Sequence, residues 1–185
     1  SLSSHEVAQG YKDVKDESVI AKFKVINEEN TYILAWTTTP WTLPSNVALA
    51  VNPESTYVKV ESEGAKYIMA EALLEVVLPE GYNVLEKYIG NDLQGMEYEP
   101  LFDFAKPDKK AFFVVADHYV TLSDGTGIVH IAPAFGEDDA RLGRTHNLPF
   151  VQLVNEEGNF TPEVTPWQNI FVKDADPLII RALDD

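Results

Sequence analysis

The sequence has no cysteine among its 185 residues. This absence excludes disulfides, thiol nucleophiles and cysteine-ligated zinc, and it agrees with a cytoplasmic location. No apolar run approaches the roughly 18 residues that a membrane-spanning helix needs, so we expect no membrane association. The N-terminal stretch SLSSHEVAQGYK has no basic segment leading into an apolar one and predicts no secretory signal.

Basic residues are scarce: 14 Lys and Arg stand against 30 Asp and Glu, a net charge of −16. Surfaces that bind nucleic acid widely are normally basic, so we predict that any RNA ligand docks through a short piece only. Another domain would then supply most of the phosphate contacts. The length and the 45% hydrophobic fraction are typical of one globular domain with a core.

Common catalytic signatures are also absent, since there is no G-x-S-x-G, P-loop, H-E-x-x-H or dinucleotide-binding motif. The four histidines, at positions 5, 118, 130 and 146, are too scattered to indicate a metal cluster. We therefore predict no metal site.

What the sequence does contain is a series of short β-prone segments. Residues 18–26 alternate apolar and polar side chains, and a polar turn leads into a second strand, which together predict a hairpin. The other predicted strands are residues 47–51, 56–62, 111–121 and 128–133. The predicted helices are residues 66–78, residues 136–148 and one that starts with Asp176 as N-cap and Pro177 in the first position. This pattern predicts an α+β fold, mostly β, in which a closed or strongly curved barrel-like sheet carries peripheral helices.

The first candidate functional segment is AWTTTPWTLPSN, which places three threonines where a strand ends. Threonine suits strands, so the run could simply form a sheet edge. The prolines favour a functional role for the run, because Pro40 disfavours the helical region at Thr39 and Pro44 does the same at Leu43. A strand that leaves the sheet on a fixed path can hold hydroxyls ready for a ligand.

The second candidate segment is GTGIVHIAPAFGEDD, residues 125–139. A turn flanked by glycines feeds a strand that contains His130, followed by Pro133 and an acidic helix start. A lone histidine in a strand is often only a packed core residue, and Asp138 and Asp139 could be ordinary first-turn acids. The residues alone leave both interpretations open.

Together the two segments resemble the editing domain, CP1, that is inserted in class I aminoacyl-tRNA synthetases for branched aliphatic amino acids. TTTPWTLPSN is similar to the threonine-rich peptide of the isoleucyl type, whereas valyl and leucyl relatives carry arginine at the third threonine and an acid at Trp41. The second segment matches the other family signature, including the histidine that marks the isoleucyl type. Phe135 departs from the pattern, since bacterial relatives often have histidine there.

The resemblance implies a barrel-like domain that hydrolyses the ester between a wrong amino acid and the terminal adenosine of tRNA. For the isoleucyl type the substrate is Val-tRNA(Ile), and isoleucine is rejected by pocket size. Nucleotide-binding signatures H-x-G-H and K-M-S-K-S are absent, so ATP belongs to the full synthetase and we expect no cofactor here. We expect one editing domain over residues 1–185, with about 1–17 and 174–185 as joints to the catalytic body.

The resemblance also implies roles for particular residues. Asp139 would pair with the substrate ammonium, with Asp138 as the alternative, and His130 would occupy the space that the extra carbon of isoleucine needs. The threonines would contact the adenosine and the ester, and the water would be oriented by hydroxyls and activated by the neighbouring ribose hydroxyl. The predicted catalytic residues are Thr37, Thr38, Thr39 and Asp139, and the predicted substrate-binding residues are Thr42, Asn46, His130, Asp138 and Trp41.

Two other functions are compatible with the same segments. One is a non-catalytic module that binds the tRNA 3′ end, and the other is a free-standing trans-editing deacylase. A deacylation assay separates the first from an enzyme.

Overall fold

Eight strands and three short or medium helices make up the fold in a computed structural model that describes residues 18–184. The N-terminal joint predicted at about residues 1–17 lies outside the described residues. The strands are β1 Val19–Lys24, β2 Thr31–Thr37, β3 Ala48–Val51, β4 Thr56–Ser62, β5 Ala65–Ala70, β6 Asn83–Ile89, β7 Phe113–Ala116 and β8 Ile128–Ile131. The α-helices are α1 Leu74–Val77, α2 Glu137–Thr145 and α3 Val172–Asp184. Short 3-10 helices lie at Pro40–Ser45, Glu71–Leu73, Gly90–Leu93 and Thr165–Trp167.

Strand β2 is the branch point of the sheet. One of its edges pairs antiparallel with β1, Val19 opposite Thr37, which confirms the predicted hairpin. Its other edge pairs in parallel with β5 over its first half and with β8 where Trp36 lies opposite Val129. The end of β2 therefore leaves the sheet directly beside β8.

The sheet curls back on itself. From β2 the strand order continues through β8 to β3 and β7. Bridges from Val25 to Tyr98 and from Glu97 to Phe113 then link β1 and β7 through residues 95–99. The Tyr98 amide donates to the carbonyl of Phe112 at 3.1 Å. This curvature confirms the predicted barrel-like architecture, and β5, β4 and β6 extend it on one side.

Two apolar cores share strand β3, whose side chains alternate between them. Leu49 and Val51 pack into a core inside the curled sheet, whereas Ala48 and Ala50 face a second core. The second core also contains α2 and α3 side chains and the aromatic residues Phe160 and Trp167. A strand buried on both faces explains why this part of the sequence is a continuous apolar run.

The helix predicted at residues 66–78 is wrong over its first half. Residues 65–70 form β5, which pairs with β4 on one edge and with β2 on the other, and only Leu74–Val77 is α-helical. Tyr67 through Ala70 are all buried. A strand buried on both faces presents a run of apolar residues that periodicity cannot separate from a helix.

The start predicted for the last helix is also wrong. Helix α3 begins at Val172, so Asp176 is not its N-cap and Pro177 lies inside it. Val172, Ala175 and Ile179 are spaced for one helix face and dock in the second core. Their burial offsets the backbone hydrogen bond that proline cannot make. Residues 174–184 thus belong to a packed helix, and their role as a joint stays a prediction.

None of the helices between residues 18 and 184 combines the length and the apolar character needed to cross a membrane.

Gly125 is a close-approach glycine, and replacing it should be costly. It has φ +68, and an added Cβ would lie 2.2 Å from the indole of Trp36. We expect Gly125→Ala to lower the free energy of unfolding by about 3 kcal/mol, from left-handed strain plus overpacking. Gly64→Ala is the control, because Gly64 has φ +87 but open space around it. Urea unfolding of both variants measures the difference, and equal losses would contradict this packing account.

Candidate functional site

The threonine run lies at the end of β2, where the chain turns out of the sheet. Thr39 has φ −128 and ψ 76, which is not helical and confirms the effect predicted for Pro40. The 3-10 helix Pro40–Ser45 follows, with the Thr42 amide donating to the Thr39 carbonyl at 3.0 Å. The prediction that Pro44 disfavours a helical conformation at Leu43 is wrong. Leu43 lies inside this 3-10 helix, where the fixed φ of Pro44 is acceptable.

Helix α2 brings Asp139 to the same place. The chain leaves β8, turns at Pro133 and enters α2 after Gly136. The Asp139 Oδ2 accepts the backbone N–H of Ala132 at 2.8 Å, which ties the first turn of the helix to the end of β8. A Cβ at position 136 would lie 3.1 Å from Asp139 Oδ1, so glycine there leaves room for the carboxylate.

These elements enclose a pocket of about 210 Å³. The predicted site residues that line it are Thr37, Thr38, Thr39, Thr42, His130 and Asp139. The lining residues that the sequence did not indicate are Trp36, Val129, Ala132 and Phe135. Trp36 and Val129 lie opposite each other in the β2–β8 pair, so the sheet register, which a single sequence does not reveal, puts them there.

Three predicted site residues do not line the pocket. Asp138 is exposed and lies 3.6 Å from Arg141, so the geometry favours Asp139 over this alternative. Trp41 packs edge-to-face on Phe135 with ring centroids 5.1 Å apart. Asn46 is buried behind the pocket and bonds to His130 at 2.9 Å.

His130 is a buried wall residue whose two ring nitrogens are both occupied. Nε2 lies 2.7 Å from Thr42 Oγ1, and Nδ1 lies 2.9 Å from Asn46 Nδ2. Burial lowers the pKa of His130 from 6.5 to about 3, so the ring is neutral at pH 7. A neutral ring with no free nitrogen is unsuited to act as a general base.

The burial of His130 makes stability depend on pH. The unfolded chain binds the proton more readily than the folded one between pH 6.5 and about 3, so stability falls as the pH drops through that window. From pH 6.5 to 4.5 we expect wild type to lose about 2–3 kcal/mol more than His130→Gln in denaturant unfolding.

His118→Gln is the matched control for this experiment, because the His118 side chain is 72% exposed. The other titrating groups are common to all three proteins and cancel in the comparison. If the free energy of unfolding of wild type and of His130→Gln falls in parallel with pH, His130 binds its proton as readily in the folded state as in the unfolded state, which would contradict the prediction.

Asp139 is half-buried and has no basic partner among the described residues. Burial raises its carboxyl pKa, the Ala132 N–H opposes this and Asp138 adds to it. Arg141, two residues further on, instead binds Asp117 through two hydrogen bonds of 2.8 and 3.1 Å. A carboxylate at a pocket wall that has no basic partner within the described residues suits a cationic group brought by a ligand.

Within residues 18–184, no three His, Asp or Glu side chains are arranged to hold a metal ion.

Comparison with known proteins gives a consistent result. No protein-family model matches the chain. Isoleucine–tRNA ligases match it along its whole length, with 61% identity over 185 residues in Clostridium acetobutylicum and 58% in Clostridium novyi. The chain spans only 18% of the length of these curated relatives.

Solved structures show the same fold at low sequence identity. The editing domain of P. falciparum cytosolic leucyl-tRNA synthetase has a TM-score of 0.66 and 12% identity, covering 90% of this chain and 97% of that one. The P. knowlesi counterpart has a TM-score of 0.65 and 14% identity, covering 89% and 92%.

The curled sheet therefore has the fold of the leucyl-tRNA synthetase editing domains. In sequence, the whole chain matches a segment of isoleucine–tRNA ligases.

Proposed function

We propose that the domain hydrolyses the ester of Val-tRNA(Ile) after transfer of the amino acid to tRNA. One observation carries the proposal: the three threonines and the Asp139 carboxylate line a single pocket walled by His130. The pocket is smaller than the 300–1,000 Å³ of typical small-molecule sites, which suits a small aliphatic group.

Asp139 would hold the α-ammonium of the substrate. Its backbone bond to Ala132 fixes the carboxylate, and no described basic side chain lies within 4 Å to compete for it. A charge-assisted hydrogen bond in a partly desolvated pocket is strong, and it orients the ester as well as binding it.

His130 would exclude isoleucine. Bonds at both ring nitrogens hold the imidazole in place, so the pocket wall cannot move aside at low cost. One methylene is worth only about 1–3 kcal/mol in a binding pocket, a magnitude established on this synthetase family itself. A second pocket that rejects by size can therefore add discrimination that the first cannot supply.

The chemistry is an ester hydrolysis in which a water oxygen attacks the carbonyl carbon. The bond from that carbon to the ribose oxygen breaks, and the ribose oxygen takes the proton. His130 is neutral and fully bonded, so we assign activation of the water to the neighbouring ribose hydroxyl and its orientation to the threonines. The proposal needs no cofactor, and ATP would serve only the parent synthetase.

The partners follow from the same picture. The 3′-terminal adenosine carrying valine would enter the pocket, and the catalytic body of the parent synthetase would hold the rest of tRNA(Ile). A net charge of −16 disfavours a wide contact between this chain and RNA, which agrees with a contact limited to the 3′ end.

Incubating the domain with Val-tRNA(Ile) and Ile-tRNA(Ile) side by side tests the proposal. Release of valine with isoleucine left on its tRNA supports it. Binding of the charged 3′ end without hydrolysis would instead identify a non-catalytic binding module, and equal release from both substrates would overturn the size-exclusion role.

A further inference from the structure

A buried hydrogen-bond chain leads from Tyr98 to the pocket. Tyr98 is 1% exposed and lies in the segment that links β1 to β7. Its hydroxyl donates to Asn46 Oδ1, and Asn46 in turn contacts His130, which reaches Thr42. Every member between Tyr98 and Thr42 is buried, so each proton in the chain needs an internal acceptor.

The orientation of Asn46 is fixed by its other partners. Asn46 Nδ2 lies 2.8 Å from the carbonyl of Ala48, which can only accept, so this atom is the amide nitrogen. The other amide atom must then be the oxygen, which accepts a hydrogen bond from the Tyr98 hydroxyl. Nδ2 therefore donates its second proton to Nδ1 of His130, and the ring proton lies on Nε2.

The single proton of Thr42 gives the same answer independently. Its Oγ1 donates to the carbonyl of Thr39 at 2.9 Å, which uses that proton. The contact of 2.7 Å with His130 Nε2 is then a hydrogen bond only if Nε2 donates. Both ends of the ring thus select the neutral Nε2–H tautomer.

The direction of the remaining bonds follows by counting protons. Thr42 has none left, so Thr39 donates in the 3.2 Å pair with Thr42. Thr39 has then used its own, so Thr37 donates in the 3.3 Å pair with Thr39. Thr37 Oγ1 also accepts the Thr39 amide at 3.0 Å. The pocket-lining hydroxyls of Thr37 and Thr39 therefore each have one free lone pair for a ligand, and neither has a free proton.

We propose that this chain of hydrogen bonds makes Thr37 and Thr39 hydrogen-bond acceptors toward the pocket, and that Tyr98 is the positioning residue that holds the Asn46 amide, and with it the His130 ring, in place. Acceptors bind the hydrogens of a water, an ammonium or a ribose hydroxyl, and they leave the water oxygen free to attack. Thr38 differs, because its exposed hydroxyl has no hydrogen bond to another described residue and is free to donate. The catalytic consequence rests on the proposed function, whereas the direction of the chain does not.

Nitrogen NMR of the domain labelled at histidine tests the direction itself. At pH 7 we expect His130 Nδ1 to show the shift of an unprotonated ring nitrogen and Nε2 that of a protonated one with a directly bonded hydrogen. An Nδ1–H tautomer, or a rapidly exchanging mixture, would overturn the inference. The measurement needs no substrate.

Tyr98→Phe tests the positioning role. Without the phenol, Asn46 Oδ1 is a buried acceptor with no donor, so the amide and the His130 ring bonded to it lose their fixed position. We expect the His130 nitrogen signals to shift and broaden, and kcat to fall about tenfold. Tyr57→Phe is the matched control, because Tyr57 is equally buried but its hydroxyl donates to Gly127 at 2.7 Å, outside this chain of bonds. It should leave both readouts unchanged.

The outcomes separate this inference from the proposed function. If Tyr98→Phe keeps the wild-type nitrogen shifts and kcat, the positioning role is wrong even though the domain is a deacylase. If wild type hydrolyses no charged tRNA, the proposed function fails, while the shifts of His130 in wild type and Tyr98→Phe still decide the direction of the chain.

Discussion

Asp139→Asn should lower the deacylation of Val-tRNA(Ile) by about 10²–10³-fold, the loss expected when a charge-assisted contact disappears from the reacting complex. The folded domain should be at least as stable as wild type at pH 7. Burial raises the carboxyl pKa of Asp139, which means that the charged form is disfavoured in the folded state, and the amide removes that cost. The amide oxygen can still accept the Ala132 N–H. Single-turnover deacylation and urea unfolding measure the two effects.

Asp138→Asn is the control for this variant, since it removes the same charge one residue away. The Asp138 side chain is 58% exposed and lies outside the pocket. We expect its deacylation rate to stay within about twofold of wild type, because a single exposed charge has little effect. Equal losses in the two variants would show that the helix start, and not Asp139 itself, matters.

His130→Ala should let the domain attack Ile-tRNA(Ile). Removing the ring opens the wall that we assign to the extra carbon of isoleucine, so the preference for valine should fall by about 10–200-fold. The measurement is the ratio of kcat/KM for the two charged tRNAs. Stability should also fall, since Thr42 and Asn46 each lose a buried partner.

His118→Ala controls for the loss of an imidazole, because His118 is exposed and does not line the pocket. Its discrimination should equal that of wild type. If His130→Ala is folded and also keeps wild-type discrimination, the ring is a core residue and another side chain sets the size limit.

The sequence predicts β1 correctly and assigns β5 to a helix, and the difference lies in how many faces of each strand are buried. The alternation in β1 marks a strand because Lys22 and Lys24 are only half-buried while Phe23 is fully buried. In β5 the four consecutive buried residues remove that signal, and the spacing of apolar residues then resembles a helix. The sequence places the start of α3 too late because Pro177 is a typical first-position residue, and only tertiary burial explains its interior position.

Some residues of the candidate site can be predicted from the sequence, and others are brought to the pocket only by the fold. The threonine run and the EDD segment stand out in the sequence because both have an unusual composition, one where a strand ends and the other where a helix begins. The residues that complete the pocket do not, since Trp36 and Val129 are ordinary strand residues placed there by the β2–β8 register, and Ala132 directly follows β8. Tyr98 is a further case, because it is 52 residues from its partner Asn46 and nothing local links the two.

The central claim is that one pocket holds the charged 3′ end of the tRNA, with the ammonium on Asp139 and the side chain against His130. The most direct measurement is a structure of the domain with adenosine that carries valine through an amide in place of the ester. We predict the valine ammonium within about 3 Å of the Asp139 carboxylate and its methyl groups against the His130 ring. A compound bound on another surface, or one whose ammonium faces away from Asp139, would contradict the account.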